Sequence, residues 1–340
     1  SVYNTAVGFQ AGTAVTTGVQ NTIVGGLAGD SLTDADFNVA VGVSALAGDT
    51  LGSRSTALGY FALSVQNFTT ATDVYNVAVG HGAGASVTTG LYNTLIGGLA
   101  GDALTDADEN VAVGQSALTT DTKGNRNVAV GQIALATQNF TTSTSSYNTG
   151  VGYAAGGAIT TGVNNTLIGA LTGDALTTGT RNVSVGYNNL STDTKGQNTT
   201  AIGYQALANQ NFTTATDSNN TAVGYNAGVS VTTGIQNTLI GGLVGDALTN
   251  AHNNISIGFG SLSTDTLGSA STALGTFALN AQNFTTATSS YNTAVGYNAG
   301  AGVTTGIENT IVGALAGDAF SDADYNVAVG SQALSQDTLG

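Results

Sequence analysis

A glycine closing a short β-branched run recurs along the whole chain at a nearly fixed interval. It stands at Gly8, Gly25, Gly42, Gly59, Gly80 and Gly97, and continues in step to Gly330. The spacings run 17, 17, 17 and 21 and then start again, so 19 short units group into blocks of 72 residues. The blocks span 4–75, 76–147, 148–219, 220–291 and, in part, 292–340. A unit this short cannot enclose a core of its own. It can form one coil of a solenoid, in which stacked neighbours supply the missing surface. The recurring glycine then serves a turn, through positive φ or the close approach of another backbone.

In every unit the residue before that glycine is Val, Ile or Leu, and two residues earlier stands Val, Thr or Ile, with mostly Ala between them. Alternation of period two predicts a strand with one face on a thin core, stabilised by the Val/Ile/Leu line. Each coil is expected to hold two short strands and two turns, stacked at about 4.8 Å, so that nineteen coils would extend roughly 90 Å. A helix is excluded, because a glycine every 17 to 21 residues among Thr and Asn clusters breaks any 3.6-residue pattern.

The Asn or Ser that opens every unit but the one at Thr199 suits a turn and is expected to ladder from coil to coil. Counting that residue as zero, position 7 is Ala in 15 of 19 units, with Thr172, Asn189, Val244 and Ser261 as exceptions. Such an Ala would permit close packing of one chain on another. Position 8 reads Gly, Gly, Leu, Leu in each block, as in Gly12, Gly29, Leu46 and Leu63. The expected fold class is therefore all-β, a parallel β-roll or β-solenoid running as one continuous segment over 1–340. Both ends fall inside the repeat, which predicts a piece of a longer filament.

Composition removes several functions. The net charge is −15, with only five cations, Arg54, Lys123, Arg126, Arg181 and Lys195. That leaves no footprint for a phosphate backbone or an anionic membrane surface. No apolar run approaches the roughly 20 residues that span a bilayer as a helix, so no membrane insertion is expected in this segment. There is no cysteine, hence no disulfide. Apolar residues make up 41% of the chain and charged residues 7%, so a single copy would show large uncharged faces to water. Such faces call for a covering partner.

The stretches "NVAVGVSAL" from Asn38, "STALGYFAL" from Ser55 and "NTAVGYNAG" from Asn220 resemble the repeat of the trimeric autotransporter adhesin head, the YadA-like head. The same repeat type occurs in bacteriophage tail fibres, and the likeness runs through the whole chain. It implies a left-handed parallel β-roll with three identical chains side by side. It also implies a location outside the cell, on the cell surface or on a virion, and a role in reach and adhesion. Coils of 17 and 21 residues depart from the commonly shorter coils of that family, so turn geometry does not carry over. The expected partner is the chain itself, as a homotrimer or filament, with a cell-surface glycan as a candidate receptor. A self-assembling filament with no receptor of its own and a polysaccharide-cleaving tailspike are the rival readings; no enzymatic activity is expected.

Candidate binding residues lie in the longest coils, where four extra residues must bulge outward: Asn67 and Phe68, Asn139 and Phe140, Asn211 and Phe212, Asn283 and Phe284. An aromatic beside an amide suits a glycan or a neighbouring fibre; the competing reading has each Phe simply packed. Each of these Asn heads an N-x-T triplet, and further N-x-S/T triplets fall at Asn165, Asn182, Asn198, Asn220 and Asn254 (at Asn165 and Asn220 as the middle residue), a pattern that arises freely in so Asn- and Thr-rich a chain. Asp30, Asp34 and Asp36 offer hard oxygens for calcium. The equivalent stretches of the third and fourth blocks keep only Asp174 and Asp246, which favours a solvated acidic turn and no metal. Asp34 and Asp36 alone satisfy at most the spacing of a glycosidase pair, without a cleft or a raised pKa. His81 and His252 occupy unrelated places, and no catalytic residue is assigned. Phe9, Tyr60, Tyr153, Tyr187, Tyr204, Tyr225, Phe259 and Tyr297 follow the recurring glycine, and Tyr187, Tyr204 and Tyr225 fall on successive coils where they are expected to stack. A flat Thr ladder of the ice-binding kind is interrupted three coils in four.

Overall fold

The computed structural model describes residues 2–338 and divides into two compact units, Ser1–Ala170 and Leu171–Gly340. Each is an all-β parallel solenoid, ten coils in the first and nine in the second. In the first unit the strands Thr5–Val7, Thr22–Val24, Val39–Val41, Thr56–Leu58 and Val77–Val79 pair in turn, each with the strand one coil on. The series continues in the same register through Thr94–Ile96, Val111–Val113, Val128–Val130, Thr149–Val151 and Thr166–Ile168. The second unit repeats this from Val183–Tyr187 and Thr200–Tyr204 to Val327–Val329. Backbone amides close each step, as where Thr94 N donates to Asn110 O at 2.8 Å and Gly97 N to Val79 O at 2.8 Å.

The strand faces are the reverse of those expected. The small central residue points inward: Ala40, Ala57, Ala78, Leu95 and Ala112 are fully buried. The Val/Ile/Leu line points outward, with Leu58 43%, Ile96 38% and Ile240 37% exposed. Alternation fixes the period but not its phase, and an interior this narrow is filled by Ala from the strand and by larger residues from the turns. The Ala at position 7 is also inside its own coil, as at Ala28, Ala45, Ala62 and Ala83, so it is no surface for another chain. Where that position is polar, the interior compensates. Thr172 Oγ1 meets Ser184 Oγ at 2.5 Å, and Asn189 Nδ2 donates to Val185 O at 2.9 Å.

The Gly, Gly, Leu, Leu code at position 8 is a volume code. Leu46, Leu63, Leu118 and Leu135 are fully buried, and they hold φ between 48° and 55°. A left-handed conformation costs a leucine roughly 1–2 kcal/mol. Burying the side chain returns about 1.5–3 kcal/mol, so the burial offsets the strain. Glycine stands where a neighbour already fills the space. A Cβ on Gly84 would lie 2.7 Å from Leu95 Cδ1 and 3.0 Å from Leu63 Cδ2.

The expected Asn ladder is present. Asn76 Oδ1 accepts from Asn93 N at 2.8 Å, Asn93 Oδ1 from Asn110 N at 3.0 Å, and Asn110 Oδ1 from Asn127 N at 3.0 Å. Each Nδ2 closes its own coil on a carbonyl 14 residues ahead: Asn76 on Gly90 O, Asn93 on Ala107 O and Asn110 on Gly124 O, at 2.7–2.9 Å. A second strand per coil does not form throughout. It appears only as two-residue pairs between the third and fourth coils of a block, Gly52–Ser53 with Thr72–Asp73 and Gly124–Asn125 with Thr144–Ser145 among them. Elsewhere side-chain bonds replace it.

Candidate functional site

The 21-residue coils are built around a buried carboxylate. Asp121 and Gln138 share the same place in successive coils, and both are fully buried. Asp121 Oδ1 accepts from Gly124 N and Phe140 N, each at 3.0 Å, and Oδ2 accepts from Gln138 Nε2 at 2.5 Å. Gln138 Oε1 in turn accepts from Asn148 Nδ2 at 2.8 Å, which ties the coil to the next block. The same set recurs as Asp49 with Gln66, Asp193 with Gln210 and Asp265 with Gln282. No cation is among these partners; amide donors alone satisfy each carboxylate. The signal was present in the sequence as an Asp and a Gln 17 residues apart, four times over.

This cage pulls the neighbouring phenylalanines inside. Phe68 and Phe140 are 7% exposed, and Phe212 and Phe284 are 6%. Of the two readings of these residues, a packed Phe is the one the structure has, because Asp121 and its counterparts grip the Phe amide and turn the ring inward. A Cβ on Gly124 would lie 2.9 Å from Phe140 Cδ2. What protrudes is the tip after each Phe, Thr69, Thr70 and Ala71 in the first block, all exposed. Asn67, Asn139, Asn211 and Asn283 are exposed beside it, and their amide oxygens accept from Thr50, Thr122, Thr194 and Thr266 at 3.1–3.4 Å. Asn182 and Asn254 are fully buried, which removes them as glycan acceptors; Asn165 and Asn220 are buried too, but the acceptors of their triplets are the exposed Asn164 and Asn219.

The carboxylates of the second coil act as turn pegs. Asp36 Oδ1 accepts from Val19 N at 2.7 Å, Asp108 Oδ1 from Leu91 N at 2.8 Å, and Asp324 Oδ1 from Ile307 N at 2.8 Å. In the fourth block His252 Nδ1 takes the same bond, from Ile235 N at 3.1 Å. Asp34 Oδ1 accepts from Thr17 Oγ1 at 2.5 Å. Asp30 shares the place of Asp174 and Asp246, and Asp174 and Asp246 each leave one buried oxygen without a partner. Burial pushes both of those carboxyls above the ordinary carboxylate range, and burial does the same to Asp193 against donors from Gln210, Phe212 and Gly196. A raised folded-state pKa contributes stability that is complete below the unfolded value and lost as pH rises through the folded one. Acidification from neutral toward pH ~4 is thus expected to raise the melting temperature through these groups. The double variant Asp174→Asn with Asp246→Asn is expected to show a smaller rise than the parent in parallel melts, and identical profiles would refute the assignment.

The outer face of the sheet is the other candidate surface. Positions 1 and 3 carry only Thr, Val, Ile and Leu in all nineteen coils, and position 5 carries no Asp, Glu, Lys or Arg. Tyr187, Tyr204 and Tyr225 stack there as expected, with centroids 5.5 Å apart and planes 16° from parallel. Tyr60 stacks on His81 at 5.3 Å. A second column, missed in the sequence, runs through left-handed residues just before each Asn: the Arg54 guanidinium lies 5.0 Å from the Phe37 ring and 5.8 Å from that of Tyr75, and Tyr75 stacks on Tyr92 at 5.8 Å. Rings stacked along the coils spend their faces on one another and offer a ligand mainly edges and hydroxyls. Four of the five cations, Arg54, Lys123, Arg126 and Arg181, are paired at the surface, Arg126 with Glu109 at 2.9 Å and Lys123 with Asp106 at 3.5 Å, contacts worth little to stability. Among the described residues there is no pocket. No protein family and no curated protein matches the chain.

Proposed function

We propose that this chain is the shaft of a fibre carried outside the cell or on a virion, assembled from identical copies packed side by side, with a homotrimer as the assembly. The observation that carries this reading is the charge-free outer face. In the first unit, positions 1 to 5 over ten coils cover roughly 15 Å by 45 Å, on the order of 700 Å². The face mixes Thr and Gln with Val, Ile and Leu, and its area approaches the ~800 Å² each partner gives to a stable interface. The repeat resemblance supports the same assembly, and the stacked coils, cages and ladders describe a stiff spacer. The exposed Thr-rich loop tips and the Asn beside them remain the part of the surface suited to hydrogen-bonding a glycan of the target surface.

Sedimentation of the purified chain tests the assembly. A single trimeric species is expected, and Ile96→Lys, which places a charge in the middle of the outer face without touching the interior, is expected to yield folded monomer. Open-ended growth with concentration favours the filament without its own receptor. A parent chain that stays monomeric at all concentrations overturns self-association.

A further inference from the structure

The geometry points to a covalent modification site: the tyrosine ladder Tyr187–Tyr204–Tyr225 is placed to be stapled by oxidative coupling of neighbouring phenols into dityrosine. Two independent observations converge on it. The first is geometric. Val183–Tyr187 and Thr200–Tyr204 are the two five-residue strands, longer than their three-residue counterparts, and they pair in register so that Tyr187 lies directly opposite Tyr204. The rings stand 5.5 Å apart, nearly parallel, and 46%, 44% and 55% of Tyr187, Tyr204 and Tyr225 is exposed. An oxidant can reach the phenols, while the sheet holds each beside its partner at high effective concentration.

The second observation is chemical. The chain contains 12 Tyr but no Cys, Met or Trp. Thiols and thioethers are the side chains that ordinarily intercept oxidants, and here none is present. One-electron oxidation of this protein therefore falls on tyrosine. The step requires a peroxide-fed one-electron oxidant of phenols, such as a haem peroxidase. Each of two tyrosines gives up one electron and its hydroxyl proton and becomes a phenoxyl radical. The radicals join through one ring carbon ortho to each oxygen, and each ortho hydrogen then shifts to its oxygen, restoring both phenols. Two electrons and two protons leave in all, and they reduce one hydrogen peroxide to two waters. The product is a bond along the solenoid between successive coils of one chain. These phenols lie on the outer face that the proposed assembly covers, so the coupling acts on the chain before sister copies pack there.

The test treats the full chain, and the Ile96→Lys variant as the free monomer in which the outer face is uncovered, with horseradish peroxidase and hydrogen peroxide and maps cross-linked peptides by mass spectrometry; the monomer decides the outcome. The expected result is a loss of two hydrogens for each bond formed, dityrosine fluorescence, and a linked peptide joining Tyr204 to Tyr187 or to Tyr225. Tyr204→Phe keeps the ring in the stack and removes the phenol, so it is expected to abolish the linkage, since Tyr187 and Tyr225 are two coils apart. Tyr75 and Tyr92, stacked at 5.8 Å, are expected to couple as a second, independent pair that Tyr204→Phe leaves intact. Coupling that involves Tyr153, Tyr297 or Tyr325 as often as the ladder, coupling only between chains, or none at all overturns the proposal. Sedimentation of the same untreated sample reports assembly separately.

Discussion

Replacing Gly97 by alanine is expected to destabilise the first unit by about 2–6 kcal/mol, whereas alanine at the adjacent Gly98 is expected to change stability by no more than about 0.5 kcal/mol. Gly97 holds φ at +134°, a region that side-chain-bearing residues avoid at a cost of about 1–3 kcal/mol. A Cβ there would also lie 2.5 Å from Gly114 O and 2.6 Å from Gly114 C, in the backbone of the next coil. That backbone cannot retreat freely, because Gly114 N is held by Ile96 O at 2.7 Å. At Gly98 a Cβ would meet nothing within 4 Å. The pair differs by one residue in sequence and by the whole steric argument in space. Urea denaturation of both variants decides it: coincident midpoints would mean that the recurring glycine is not required for close coil stacking.

Asp121→Ala is expected to cost about 2–5 kcal/mol, because it strands the buried donors Gly124 N, Phe140 N and Gln138 Nε2 together, each worth about 1–3 kcal/mol when orphaned, with part returned by removing a buried charge. Asp121→Asn keeps an oxygen for the two backbone amides and is expected to cost clearly less. Amide hydrogen exchange gives the local readout: protection at Gly124 and Phe140 should fall in Asp121→Ala and persist in Asp121→Asn. Unchanged protection in both variants would show that the carboxylate does not anchor the 21-residue coil.

Much of this architecture is legible in the sequence because a solenoid converts sequence period directly into spatial neighbours. The 17-17-17-21 spacing gives the strand register, the opening Asn gives the ladder, and Tyr187, Tyr204 and Tyr225 give the stack. What the sequence concealed is phase. A run such as Thr94–Leu95–Ile96 or Val77–Ala78–Val79 is apolar on both parities, and hydrophobicity points to the wrong one at Ala78. Only the turns, where Leu63 and Val87 fill the interior, reveal that the strand has to present its smallest residue inward. The sequence leaves the Phe in "QNFTTATD" between an exposed and a packed reading for a related reason. Its position in an insertion suggested exposure, but its fate is set by Asp49, 19 residues earlier, whose carboxylate binds the Phe68 amide at 3.0 Å. The acidic turns bring like charges close in sequence, but Asp34, Asp36, Asp108 and Asp324 each find a donor one coil away.

The volume code and the carboxylate cage both close only after four coils, and this makes length a discrete quantity for this protein. Excising one 17-residue coil would set a leucine against space meant for another leucine, or an aspartate against a residue unable to donate to it. Excising 76–147 would join Tyr75 to Asn148 and keep the Gly/Leu volume code, the Asn ladder and the Asp–Gln cage in step. Gene-level recombination between such similar blocks can thus shorten or extend the product in whole steps of 72 residues, a molecular ruler graduated by its own interior.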